Sequence, residues 1–197
     1  GRGALEAMKT ALRDAGVSPL DVDYINLHGT GTIDNDFSES AAVNRLFGNT
    51  IPCHSSVKGA MGHSLAAAGV IETIISVMAL KNGMVPPNTG FSIPDPALRM
   101  NPVREPVKKN IRTVLSNSFG FGGNNAAVVI GTPGNPLKDD NPTSDLPLTI
   151  VGRSLVSGAG FMAETLKTVS QGKECKGILP EKELTRNLPA KTVRRMK

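Results

Sequence analysis

The sequence predicts an α/β fold: a mostly parallel sheet covered by helices and ending in an antiparallel pair. Three observations predict it. Short apolar runs of strand length alternate with longer runs at helical spacing, the connections between them are short, and two strand-like runs flank the glycine-rich segment Asn117 to Asn125 as the arms of a hairpin.

In chain order, Ala4, Leu5, Met8 and Leu12 fall on one helical face, and Gly16 suits the position just past the helix end. Ser18-Pro19 turns the chain into a short strand, Asp23 to Leu27. Asp36 can cap a second helix, with Ala41, Ala42, Val43, Leu46 and Phe47 as its buried stripe and Gly48 as its stop. Ile51 to Ser55 reads as the next strand. A third helix, Met61 to Leu80, is apolar nearly all round, the signature of a buried helix. Glu72 and His63 interrupt it and its apolar core falls short of a spanning length, so no membrane span is expected. Ile111 to Asn117 and Ala126 to Ile130 form the hairpin. Residues 133–147, rich in proline, asparagine and aspartate, read as a linker between residues 1–132 and 148–197.

Composition narrows the function classes. With 39% hydrophobic and 20% charged residues the chain can pack a core and does not read as disordered. Two cysteines, Cys53 and Cys175, make no disulfide framework and fit a reducing, cytoplasmic setting. The net charge of +5 belongs to the end of the chain: residues 151–197 carry ten Lys and Arg against four Asp and Glu. With one Tyr and no Trp there is no stacking surface, so nucleic acid is not an expected partner. No signal-peptide pattern opens the sequence, and because it begins inside a helical run, an upstream segment is expected.

Chemistry concentrates in three turns. His28 lies in YINLHGTGT (Tyr24 to Thr32), His63 closes VKGAMGH (Val57 to His63), and NSFGFGGNN runs from Asn117 to Asn125. Turns at strand ends are where α/β proteins place ligands. Taken singly, each histidine could be a satisfied loop residue, Lys58 a solvated loop lysine, and Thr30 and Thr32 turn threonines. Glu72, deep in an apolar helix, needs a partner. The glycines of Phe119-Gly120-Phe121-Gly122-Gly123 permit close backbone approach, but no helix follows that would make a phosphate site. Cys53, in a strand before His54, and Cys175, between lysines, lack the context of an activated nucleophile. Cys53, His54, His28 and His63 lack the spacing of a zinc site, so no metal is expected.

In this order the motifs resemble the C-terminal half of a ketosynthase, the β-ketoacyl-carrier-protein synthase family of the thiolase-like αβαβα fold. The resemblance covers Gly1 to Gly131. Leu148 to Lys197 resembles, more loosely, the beginning of a second such domain, with Arg153 and Ala159 departing from its pattern. It implies a decarboxylative Claisen condensation of acyl and malonyl thioesters in fatty acid or polyketide biosynthesis. His28 and His63 would be paired catalytic histidines holding an enolate oxygen, with His63 kept neutral by the start of the third helix. Lys58 would organise the histidines with Glu72 as its partner. The two are fourteen residues apart, about 21 Å along a continuous helix, so they meet only if Lys58 folds back. Asp36 and Glu39 match acidic family positions with structural roles, a cap and a first-turn carboxylate. Thr30 and Thr32 would bind the amides of a phosphopantetheine arm. The backbone N–H of Phe121 would serve the condensation intermediate, and the loop with Gly122 and Gly123 would gate the acyl pocket. The implied partners are acyl carrier protein, the N-terminal half of the fold, and a second subunit in a homodimer or heterodimer. No bound cofactor is implied beyond the carrier's arm. The family's nucleophilic cysteine has no counterpart in these residues, so the alternative is a non-catalytic homologue that pairs with a full ketosynthase or docks a carrier protein.

Overall fold

The computed structural model describes residues 1–132 together with Val156, Ser157, Gly160, Phe161, Lys167 and Gln171. The expected linker and most of the expected second domain lie outside the described residues. The chain divides into two units, Gly1–Asn141 and Pro142–Lys197.

The first unit opens with α1 (Arg2–Asp14), which buries Ala4, Leu5, Met8 and Leu12, the face its spacing predicts. It ends in a Schellman motif: Gly16 N–H bonds to Arg13 O and Val17 N–H to Leu12 O, with Gly16 at φ 63°. β1 (Tyr24–Asn26) follows, then α2 (Ile33–Phe47). Two expectations for α2 need correction. Its N-cap position is Thr32, which places Asp36 inside the first turn rather than at the cap. Its buried side is Glu39, Ser40, Ala42, Val43 and Phe47, and Ala41 is exposed. Gly48, at φ 60°, ends the helix as expected.

β2 (Cys53–Ser55) leads into the largest departure from the sequence reading. The expected Met61–Leu80 helix is broken into a short α3 (Lys58–Met61), a 3-10 turn at Leu65–Ala67, and α4 (Ala68–Asn82). Gly62 at φ 75° takes the chain out of helical geometry, and Leu65 at φ 51° redirects it again. α4 buries its small and polar side, Ala68, Glu72, Ser76 and Ala79. Val70, Ile74 and Met78 are 65%, 54% and 53% exposed, so an all-round apolar sequence has not produced all-round burial in this chain. Leu65–Asn82 spans 18 residues at mean hydropathy 1.4, which does reach the length and apolarity of a membrane span. Within the described residues this helix packs on the sheet, and its Glu72 is buried against Lys58.

β3 (Met84–Val85) and β4 (Val107–Lys108) pair antiparallel, and at two residues each they are too short to show a strand pattern. β5 (Thr113–Phe119) and β6 (Asn125–Gly131) close the unit as the expected hairpin. The main sheet has the order β2-β1-β5-β6, parallel across β2, β1 and β5 and antiparallel at β5–β6. Strand alternation sorts the core into two. Ile25 and Leu115, side by side in register, face α1 and α2 with Leu5, Met8, Leu12 and Val43. Tyr24 and Val114 face the other way, onto Ala79 of α4, Val85 and Ile111. Helices thus cover both faces, and the C-terminal ends of β1 and β2 carry the motif turns.

In the second unit, β7 (Val156–Ser157) pairs antiparallel with β8 (Gly160–Phe161).

Candidate active site

The turn after β1 is held from beneath by one carboxylate. Glu39, 3% exposed, accepts the His28 N–H and the Gly29 N–H, each at 2.9 Å. Asn117 of β5 donates to the same carboxylate at 3.1 Å and Asn35 at 3.2 Å. Glu39 is therefore a buried second-turn residue clamping the turn after β1, and not the first-turn carboxylate the sequence suggests. Burial pushes its pKa up, while the four donors favour the charged form. Gly29 is required by its surroundings: its φ is 44°, and a Cβ there would lie 2.4 Å from that of Ser56.

His63 follows Gly62 directly and precedes α4 by several residues, so it does not sit at the start of the long helix. Instead its Nδ1 accepts the Leu65 N–H at 3.1 Å. The two imidazoles nonetheless meet, with ring centroids 5.6 Å apart and planes at 84°, and Phe119 lies 6.0 Å from His28.

Lys58 joins both motifs to α4. Because α3 ends at Gly62 and the chain reverses, the Lys58 ammonium forms a buried ion pair with Glu72 and also donates to the His28 carbonyl. It lies 3.4 Å from His28 Nδ1. Burial pushes the Glu72 pKa up and the lysine pulls against it.

These contacts set the proton positions. An ammonium and a backbone N–H can only donate, so Nδ1 of each histidine is the acceptor and the ring proton sits on Nε2. Burial, then the charge of Lys58, then His63, hold the His28 pKa at about 4, so this ring is neutral at pH 7. Two imidazoles whose Nδ1 atoms accept leave Nε2–H groups to donate, a pair suited to an oxyanion.

Beside His63 opens a cavity of about 540 Å³, lined by Thr30, Gly31, Asp36, Lys58, His63 and Phe91 among others, and His28 is not part of its lining. Asp36 there has its pKa pushed up by burial. Thr30 Oγ1 and Thr32 Oγ1 are 3.0 Å apart, hydrogen-bonded to each other, and only Thr30 lines the cavity. Phe121 is fully exposed in a 3-10 turn, Phe121–Gly123, in which Gly122 and Gly123 have φ 74° and 85°. None of these three lines the cavity. Cys53 is half-buried beside His54, whose Nδ1 donates to Pro52 O at 2.8 Å. Cys175 lies outside the described residues.

The sequence reading missed Asn117, Asn35, Ser56 and Asn88. Ser56 donates from Oγ to Gly29 O at 3.1 Å and from its backbone N–H to Asn88 Oδ1 at 2.7 Å. Asn117 opens the glycine motif, and its position on a strand buried on both faces was the available signal.

Comparison with known proteins converges on one family. Residues 1–92 match the family described as β-ketoacyl synthase, C-terminal domain. The 3-oxoacyl-[acyl-carrier-protein] synthase 2 of Coxiella burnetii is 44% identical over 131 residues, 65% of this chain and 32% of that protein. The corresponding synthase 1 of Escherichia coli is 42% identical over 131 residues, 66% of this chain and 32% of that protein. The ishigamide ketosynthase/chain length factor structure superposes with a TM-score of 0.66 at 37% identity, over 68% of this chain and 33% of that one. A type II PKS ketosynthase, solved with its acyl-carrier protein and bound to the hexaketide, gives 0.63 at 31% identity over 66% and 33%. The chain thus spans about a third of the length of the curated relatives it matches.

Proposed function

We propose that this chain, whose residues 1–92 match the β-ketoacyl synthase C-terminal domain and which superposes on a ketosynthase structure at 37% identity, supplies the decarboxylation half of a condensing active site of the thiolase-like fold. The substrate is a malonyl thioester on a carrier protein. The carboxylate–carbon bond breaks, carbon dioxide leaves, and the bonding pair moves through the thioester onto its oxygen as an enolate. The Nε2–H groups of His28 and His63 hold that oxygen. The enolate carbon then attacks an acyl thioester carried on a cysteine of the complementary half, the new carbon–carbon bond forms, and the thiolate departs. The observation that carries the reading is the pair of imidazoles, ring centroids 5.6 Å apart, each with its Nδ1 facing a donor.

The other residues take supporting roles. Lys58 and Glu72 fix the His28 turn to α4, Glu39 fixes its backbone, and Thr30 with Thr32 meets the amides of the phosphopantetheine arm. Phe121 N–H, on a turn made possible by Gly122 and Gly123, stabilises the condensation intermediate. Acyl carrier protein and the complementary half are the partners, within a dimer in the cytoplasm. Residues 133–147 link this domain to the beginning of a second one at 148–197.

Two structural relatives are ketosynthase and chain length factor pairs, which favours a second reading: a non-catalytic partner of a full ketosynthase. The intact histidine pair favours the first. The two are separated by incubating the chain with acyl and malonyl thioesters, alone and with a cysteine-bearing N-terminal half. The catalytic reading expects no acyl adduct on Cys53 or Cys175 alone, and β-ketoacyl product on complementation. Adducts on either cysteine with product, or no product from a folded complemented enzyme, sink it.

A further inference from the structure

The cavity beside His63 has a wall that the reaction above does not use. Asn88–Phe91 forms a turn, with Phe91 N–H bonded to Asn88 O at 3.0 Å. This turn is tied on one side to the catalytic loops through Ser56 N–H and Asn88 Oδ1, at 2.7 Å, and on the other to Val103 O through Asn88 N–H, also 2.7 Å. It presents Phe91 to the cavity, and the Arg104 guanidinium lies over that ring in a cation–π contact, its carbon 5.4 Å from the ring centroid. Arg104 is exposed, and among the described residues it forms no ion pair, even with its sequence neighbour Glu105. The wall also carries Asp95, whose Oδ1 is engaged by Ala97 N–H at 2.8 Å. Asp36 on the same cavity is half-buried, with its pKa pushed up by burial.

A cation–π contact with an aromatic ring helps hold a guanidinium in place, and a guanidinium can bind phosphate through two parallel hydrogen bonds. The carrier's arm has two amides and, at the end away from the sulfur, one phosphate. We propose that Arg104, positioned by Phe91, receives that phosphate when the arm lies in the cavity. This rests on the reading of the cavity as the site of the arm. It assigns the arm a direction: sulfur towards His63, phosphate towards Arg104.

The test is binding of 4′-phosphopantetheine and of pantetheine, which differ only in the phosphate, to the full chain by calorimetry or NMR titration at low salt. The expected result is about tenfold tighter binding of the phosphorylated compound, the scale of a hydrogen bond to a charged group. Arg104→Gln should remove that advantage and leave pantetheine affinity unchanged, and Phe91→Leu should reduce it. Inorganic phosphate should compete with 4′-phosphopantetheine in the wild type only. Equal affinities in the wild type, or an advantage or phosphate competition that survives Arg104→Gln, overturn the Arg104 assignment alone. If neither compound binds the folded chain, the cavity is not the arm's site and both readings fall.

Discussion

Lys58 and Glu72, fourteen residues apart, meet as an ion pair whose side chains are only 6% and 2% exposed. The pair exists because Gly62 reverses the chain between α3 and α4, and the same ammonium reaches the His28 carbonyl. One buried charge therefore links both histidine motifs to the apolar helix. Removing either partner strands the other without compensation. Lys58→Ala or Glu72→Ala should each destabilise the domain by about 3–5 kcal/mol, and Lys58→Met with Glu72→Leu by much less than the sum. Urea denaturation of the four proteins measures this, and additive losses would contradict it.

Glu39 makes a second prediction. Its four donors include the backbone N–H groups of His28 and Gly29. Glu39→Ala leaves buried donors unpaired, at about 1–3 kcal/mol for each one that water does not reach. The amides of His28 and Gly29 should lose hydrogen-exchange protection while those of β6 keep theirs. Uniform loss across the sheet would mean that Glu39 acts on global stability rather than on the loop.

The pH dependence follows from His28, whose pKa is lowered from 6.5 to about 4, and from His54, lowered by burial. A histidine with a depressed folded pKa binds fewer protons folded than unfolded between those values. Its contribution to stability is complete above about pH 6.5 and is lost as pH falls towards 4. An NMR titration should find the His28 ring titrating near 4, and His28→Gln should flatten the loss of stability between pH 6.5 and 4. A His28 titration at 6.5 would contradict the burial argument and the neutral-donor role built on it.

The exposed side of α4 gives a fourth. Val70, Ile74 and Met78, four residues apart on one face of α4, are 65%, 54% and 53% exposed, and Leu65 in the turn before it is 77% exposed. Leaving roughly 400 Å² of such surface wet forgoes about 10 kcal/mol of burial, comparable to a domain's whole stability. The chain alone should associate or aggregate in analytical ultracentrifugation, and Ile74→Asp should shift it towards monomer. A monodisperse wild-type monomer with a sharp melting transition would contradict this.

Much of the fold was legible because it rests on periodicity. Ala4, Leu5, Met8 and Leu12 announce their face, Gly16 and Gly48 their stops, and the glycine loop its hairpin. The break at Gly62 was hidden because the apolar run carries on past it, and nothing local shows that Gly62 adopts positive φ. The exposure of Val70 and Ile74 was equally hidden: apolarity signals a preference for burial, and whether it is met depends on what packs there. The site divides the same way. His28, His63 and Lys58 stand in distinctive turns, whereas Asn117 matters through a carboxylate 78 residues away, and Asn35, four residues from that carboxylate, only through what Glu39 holds. The role of Glu39 could be read only once α2 lay against the His28 turn.

The central claim is that His28 and His63 jointly hold an enolate oxygen. The direct measurement is malonyl-thioester decarboxylation by the chain complemented with a cysteine-bearing N-terminal half, compared with His28→Ala and His63→Ala in the same assembly. Each substitution should lower the rate by roughly 10²-fold or more, as loss of an oxyanion-hole donor does, while acyl loading of the cysteine suffers less from at least one of them. Decarboxylation at the wild-type rate in both variants would show that the paired imidazoles do not stabilise the enolate.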